Sequence, residues 1–195
     1  MATRTGRIHG FVMALVTLAL FACCAAPSVA QTAHSSTPAS ISSLWPTWSK
    51  ARPDDVQSVQ SIINAYFDVL SGSATTERDW DRFKSLSLPD GRFVSLKTWN
   101  NDPHLIPDIA SVQQMVERLR INLRKADSEE RPIDIQVTTS RSLVHAFVTS
   151  ETHVHVSNGV RSARFVESFE LVKDADRYWI VEISSEMIPD SYRSQ

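Results

Sequence analysis

Val56, Val59, Ile62, Ile63, Tyr66, Phe67 and Leu70 recur at three- and four-residue spacing, with Gln57, Gln60, Asn64 and Asp68 on the other face. That period predicts an amphipathic helix. Asp54 or Asp55 can cap its start, Pro53 blocks backward extension, and Gly72 stands where a left-handed terminating residue is expected. A second helix should open at Thr76, with Asp79 as a carboxylate variant of the capping box and Trp80 and Phe83 on its apolar side. Pro89-Asp90-Gly91 reads as a turn into a strand from Arg92 to Leu96. Asp108 then caps a third helix, whose stripe is Ile109, Val112, Met115, Val116, Leu119 and Leu123.

Beyond Pro132 the period changes to two. Ile133 to Thr138, Ser142 to Val156, Val160 to Lys173 and Tyr178 to Met187 read as four strands. Asn158-Gly159 is the strongest local signal, because a two-residue hairpin loop needs positive φ at both positions. Pairing Ser157 with Val160 sets Ala146 against Leu171, Val148 against Phe169, Thr152 against Phe165 and Val154 against Ala163, a mostly apolar core face. Ser150 and Glu167 oppose each other as its polar spot. The other face carries His145, Phe147, Thr149, Glu151 and His153, mixed in character and suited to solvent or to a second copy.

A helix ending AYFDVLSG, followed by DWDRF and then LPDGRFVSL, resembles the opening of the SnoaL-like branch of the nuclear transport factor two-like superfamily. The resemblance spreads over about two-thirds of the chain and implies an α+β cone, a curved antiparallel sheet wrapped around about three N-terminal helices with an apolar pocket inside. Ketosteroid isomerases and scytalone dehydratases share that fold. In the isomerases an aspartate on the first strand takes a proton and a tyrosine of the long helix stabilises the oxyanion. Tyr66 is placed like that tyrosine. The aspartate's position falls near Ser95, which cannot serve as that base, and the tyrosine and Asp–His set of the dehydratases has no match.

Composition and charge narrow the setting. Arg4 and Arg7 precede an apolar run from Phe11 to Ala22, and small residues lead to Pro27-Ser28-Val29-Ala30. These are the parts of a secretory signal peptide, with cleavage expected after Ala30 and a periplasmic or secreted product. The run is short of the ~20 apolar residues of a membrane span. The rival is a lipoprotein signal at Leu20-Phe21-Ala22-Cys23, where Cys23 would be acylated and where Phe21 is bulky for the recognition site. The expected organisation is a signal peptide over 1–30, a Ser/Thr/Pro-rich linker over 31–52 and the cone domain over 53–190.

Both cysteines, Cys23 and Cys24, fall in the removed part, so the mature domain has no disulfide, thiol nucleophile or cysteine metal site. Losing Arg4 and Arg7 takes the formal charge from −2 to −4. A mildly acidic domain without a basic cluster does not suit nucleic acid. Trp45 and Trp48 are unusual in a linker; they lie over apolar surface of the domain, or form a lid or a partner contact.

Each chemical motif has a plainer reading beside it. Glu151, His153 and His155 share a strand face in a metal-like set, but the register puts Arg164 beside His153, so no metal or other cofactor is expected. Glu167 is the best carboxylate for acid–base work if the strands bury it; if they bend there, it reaches water. Tyr66 is otherwise a core tyrosine. No Gly-x-Ser-x-Gly, phosphate-cradling loop or dinucleotide fingerprint occurs, in a chain with only five glycines.

The reading is an exported cone domain that holds a small apolar or aromatic molecule and pairs as a homodimer through the outer sheet face. Candidate walls are Tyr66, Phe83, Trp99, Met115, Leu119, Phe169 and Trp179. The alternatives are a lyase or isomerase, with Glu167 or a histidine as base and Tyr66 as donor, and a non-catalytic interaction module. An enzyme requires a buried, pKa-shifted carboxylate or histidine beside Tyr66. A binder requires an open apolar pocket without one, and a module an exposed apolar patch.

Overall fold

The computed structural model describes residues 40–98, 105–175 and 177–188. The expected signal peptide, Cys23, Ala30 and Trp99 lie outside the described residues. Ser58 splits the first helical stripe. It is extended (φ −144°, ψ 162°), and its hydroxyl accepts from the Ser61 backbone N–H at 3.0 Å, so it caps a new helix and cannot continue the old one. Two single turns, Ile41–Leu44 (α1) and Pro53–Val56 (α2), therefore precede Val59–Leu70 (α3).

The next helix, Trp80–Leu86 (α4), begins later than Thr76, because Asp79 itself is the cap and accepts from Arg82 N at 2.9 Å. The strand Ser87–Thr98 (β1) follows at once, and Pro89-Asp90-Gly91 lies within it as an irregularity in the pairing, not as a turn. Gly91 is there for close approach. A Cβ at that position would stand 2.9 Å from the Leu88 carbonyl oxygen and 3.3 Å from that of Val181.

Asp108 does not cap a helix. It lies in a strand, Leu105–Ser111 (β2), and its carboxylate is taken by Lys97 at 2.5 Å and Arg118 at 3.0 Å. Ser111 caps the third helix, Val112–Asn122 (α5), in a reciprocal capping box with Gln114. The remaining strands are Asp127–Ser140 (β3), Leu143–Val156 (β4), Gly159–Asp174 (β5) and Arg177–Ile188 (β6). All six form one sheet in the order β2-β1-β6-β5-β4-β3, antiparallel except where β1 runs parallel to β6.

The β4–β5 hairpin closes on Ser157-Asn158, with Val156 paired to Gly159, one residue earlier than expected. Only Gly159 of the two expected loop residues has positive φ, +129°. Ala146 thus faces Phe169 and Val148 faces Glu167, a slip of two along β5. Because side chains alternate with period two, a slip of two leaves every residue on its expected face. Ala146, Val148, Phe169 and Leu171 are buried on that face, against Ile62 and Ile63 of α3 and Phe83 of α4.

Charge ties the helices to one another. Arg82 donates from Nε and Nη2 to both oxygens of Asp55, each at 2.8 Å, and from Nη1 to Asp68, so α4 holds α2 and α3 together. The Arg82 and Asp55 side chains are only 16% and 11% exposed. Arg82→Met should therefore cost about 3 kcal/mol, because it leaves a buried carboxylate without its partner. Urea unfolding of the variant beside wild type checks this; a loss under half a kilocalorie would show the pair to be dispensable.

Candidate functional site

Four elements converge on the helix-covered face of the sheet where its packed core gives way to a half-open wall. α3 contributes Tyr66, β3 Glu130, β4 Ser150 and β5 Glu167. Towards the core, Val148 and Phe169 are fully buried; towards the hairpin tip, Thr152, Val154, Ala163 and Phe165 on the same face are only partly covered. Glu167 and Ser150 stand at the border, both buried. Ser150 pairs with Phe165, so the two are diagonal neighbours and not directly opposed.

The Tyr66 ring is fixed by aromatic contacts on three sides. Phe67 and Phe169 meet it edge-on at 5.1 and 5.3 Å, and Phe83 lies tilted at 5.7 Å. Phe83 continues the cluster by stacking on Phe93 at 5.6 Å. Burial raises the Tyr66 hydroxyl well above its ordinary pKa, and the charges of Glu167 and Glu130 add to the shift. The hydroxyl is therefore a neutral donor throughout the physiological range.

Burial in this apolar surround pushes Glu167 up to about 7; the Ser150 hydroxyl opposes the shift and the Glu130 charge reinforces it. One of its oxygens, Oε2, is buried with no hydrogen-bond partner. A buried ionised carboxylate left in that state would be costly, which is why the proton is retained. Glu130, only partly buried, is also pushed to about 7 by desolvation, with Arg78 opposing. The site thus combines two carboxyl groups poised near neutrality with a phenol donor, in an apolar wall.

Arg78 positions Glu130. Its buried guanidinium donates to the carbonyls of Leu70 (3.3 Å), Gly72 (2.7 Å), Ser73 (2.5 Å) and Thr76 (3.0 Å), and to Ser128 Oγ (3.3 Å). Gly72 (φ +135°) and Ser128 exchange both backbone hydrogen bonds, and Ser71 Oγ accepts from Glu130 N at 2.8 Å while donating to Glu130 O at 3.1 Å. The end of α3 and the start of β3 are joined there, directly below Tyr66 in the chain.

The other sequence-derived candidates are distributed more widely. Phe83 and Phe169 belong to the Tyr66 cluster, and Met115 and Leu119 pack on the same core from α5. Trp179 is buried away from them, beside Trp48. Glu151 is bound by Arg131 at 3.0 Å, Arg164 at 3.3 Å and His153 at 3.2 Å; Arg131 foremost holds its carboxyl below the usual range. Arg164 is opposite Glu151, and His153 faces Ser162. His155 reaches Glu129 at 3.6 Å. Ser95 lies on β1, paired with Asp108 and Ser185.

Glu130 is the residue that sequence reasoning missed. Pro132 marks the expected boundary of the strand, yet β3 begins at Asp127 and absorbs the proline at a register shift. The register shift between Pro132 and Asp134 moves the inward positions from Ser128, Glu130 and Pro132 to Ile135 and Val137, so the alternation read back from Ile135 would put Glu130 on the outer face.

No family model matches the sequence, and no curated protein matches it. Solved structures do. An uncharacterised protein with a cystatin-like fold from Caulobacter vibrioides superposes with a TM-score of 0.52 at 16% identity, covering 68% of this chain and 89% of its own. A protein described as a dehydratase from the NTF2-like family of Streptomyces avermitilis gives 0.51 at 11% identity, covering 71% and 99%. The chain has the NTF2-like cone fold. The beta subunit of benzoate 1,2-dioxygenase from Burkholderia mallei is a third such structure, with a TM-score of 0.51 and 12% identity over 69% and 91% of the two chains. At these identities the likeness concerns the fold, which hosts unrelated activities.

The raised carboxyl of Glu167 has a consequence for stability. A folded-state pKa above the unfolded value, about 4.3 for glutamate, gives stability that is complete below pH 4 and lost as pH rises through about 7. Glu167→Gln should match wild type near pH 4 and exceed it at pH 8 by a few kcal/mol at most, since one pKa unit is worth about 1.4 kcal/mol. Denaturation midpoints across that range read the difference. Parallel curves for the two proteins would place the Glu167 carboxyl in water.

Proposed function

We propose that the cone is an acid–base centre of the lyase or isomerase type, acting on a small apolar or aromatic molecule that carries a carbonyl or hydroxyl group. The observation that carries this reading is the pair Glu130 and Glu167, both with pKa values near 7, within electrostatic reach of Tyr66. Catalytic acids and bases work best with pKa values near the working pH. Two interacting carboxyls titrate as a unit, so near neutrality one can be ionised while the other holds a proton.

In that state the ionised carboxylate removes a proton from carbon next to the carbonyl, and the protonated partner returns one to the product. The Tyr66 hydroxyl, too weak an acid to ionise, donates a hydrogen bond to the oxygen on which negative charge develops. The partly covered wall of Val154, Ala163 and Phe165 offers apolar contact to the rest of the molecule, while Ser150 orients Glu167. The other walls proposed for the ligand are Phe83, Met115, Leu119 and Phe169, with Trp179 and Trp99 assigned from sequence alone.

A panel of small cyclic ketones in D2O, followed by NMR, tests the chemistry. Wild type should exchange the α-protons of at least one member. Glu130→Gln and Glu167→Gln should each slow the exchange by about a hundredfold or more, the usual size of a general acid or base contribution. Exchange that survives either substitution, or none across the panel, would defeat the assignment.

The assembly and address proposed from the sequence are a homodimer paired through the outer sheet face, exported with cleavage after Ala30. Support for the dimer comes from Leu143 and Phe147, 65% and 43% exposed and both on that face of β4. Among the described residues, no helix is long and apolar enough to cross a membrane. Native mass spectrometry of protein recovered from its host reads both claims: the subunit mass should begin at Gln31 and the particle should be twofold. A mass carrying lipid at Cys23 would establish the rival anchor, and a monomer would reject the dimer.

A further inference from the structure

Strand pairing sets the side chains of the helix-covered face in transverse rows. One row is packed: Ala110, Phe93, Ile183 and Phe169, from β2, β1, β6 and β5, are each at most 3% exposed. Two residues farther along each strand, the same face carries Asp108, Ser95, Ser185 and Glu167. Ser95 pairs with both Asp108 and Ser185, and Ser185 pairs with Glu167, so this polar row is continuous across four strands. Beyond it lies the rim, where Ile106 and Met187 are 52% and 57% exposed.

The polar row thus stands between the packed core and the open rim, at the depth of Glu167. Its two ends are committed. Asp108 is held by Lys97 and Arg118, and Glu167 is a member of the carboxyl pair. The two serines between them are not. Both are partly exposed, and neither hydroxyl has a hydrogen bond among the described residues. Hydroxyls in that condition are open to a molecule lying along the wall, which meets them on its way in from the rim.

The chemistry of the row narrows what it can do. A serine becomes a nucleophile only beside a base, and His145, His153 and His155 all lie on the opposite face of the sheet. Each hydroxyl both donates and accepts, which matches an uncharged hydroxyl or keto oxygen. An anionic group is poorly served, because Lys97 and Arg118 are already engaged by Asp108. Spacing adds a length. Neighbouring strands lie about 4.8 Å apart, so the backbones at Ser185 and Ser95 stand about 5 and 10 Å from that at Glu167.

We infer that Ser95 and Ser185 form an orienting subsite for a second, uncharged oxygen of the substrate, a flat ketone with a hydroxyl or keto group at the end away from its reacting carbon. The inference rests on the acid–base reading of Glu167 for the reacting end and adds the polarity of the other end. Phe165 and Met187, paired at the rim, give apolar contact to the framework between the two oxygens. A wall built to hydrogen-bond an oxygen discriminates against the analogue that lacks it, so the two serines set specificity and take no part in the proton transfer.

The probes are 6-hydroxy-2-tetralone and 2-tetralone, which lacks only the distal hydroxyl, each titrated into the chain by calorimetry. The hydroxylated ketone should bind about tenfold more tightly, the size expected of one or two added hydrogen bonds. Ser95→Ala and Ser185→Ala should each reduce that preference, and the double variant should abolish it while binding 2-tetralone as wild type does. Ser184→Ala, on the opposite face where its hydroxyl donates to Glu182, should keep the preference. Equal affinity for the two ketones in wild type, no binding of either, or a preference that survives the double variant would overturn the subsite. Exchange of the α-protons of the bound ketones in D2O is read separately. A serine-dependent preference without exchange upholds the subsite and defeats the acid–base reading.

Discussion

The Arg78 guanidinium is the contact on which the arrangement around Tyr66 depends. A helix leaves its last carbonyls unpaired, and a buried helix end must find donors for them. Arg78 reaches the Leu70 carbonyl and those of the following loop, and at the same time touches Ser128 at the start of β3. One buried cation thereby satisfies the end of α3 and fixes where β3 begins. Without that anchor the first turn of β3 would have only the Gly72–Ser128 exchange and the Ser71 hydroxyl to hold it, and Glu130 would not be presented beneath the tyrosine.

The same cation shapes the electrostatics of the carboxyl pair. Arg78 pulls the Glu130 pKa down while burial pushes it up, and the balance stands at about 7. Glu167 has no such cation; the Ser150 hydroxyl is its counterweight, and it arrives at a similar value by a different route. Groups matched in pKa but unlike in surroundings suit different roles. The better buried Glu167 has an unpaired oxygen and gains most from keeping its proton, whereas the partly covered Glu130 can lose one to solvent more readily. Such a pair detracts from stability at neutral pH, a common mark of a functional site.

Periodicity carried the sequence reading well where residues are apolar, and failed where polar residues do structural work. The helix of Tyr66 and the four long strands were legible because their inward positions are nearly all apolar. Ser58, Ser111 and Asp79 set helix ends through side-chain hydrogen bonds, and nothing in the apolar stripe says which of several capping residues will do so. Asp108 looked like a cap and is engaged by Lys97 and Arg118, partners 11 and 10 residues away. Glu167 stood out as a carboxylate on an apolar face. Glu130 did not, because its strand begins with residues that look like a loop and passes through a proline.

The hairpin shows why a register error can leave a site intact. The turn closes one residue early, the partners shift by two, and both faces survive. Ser150 then leans on Glu167 diagonally, and Val148, not a hydroxyl, stands opposite the carboxyl. The Ser150 hydroxyl still reaches the carboxyl from that diagonal position and lowers its pKa, while the isopropyl group of Val148 stands opposite as part of the apolar surround. Burial is the larger effect, and the proton stays. The perturbed carboxyl therefore follows from the face on which Glu167 lies, and a slip of two, unlike a slip of one, leaves that face unchanged.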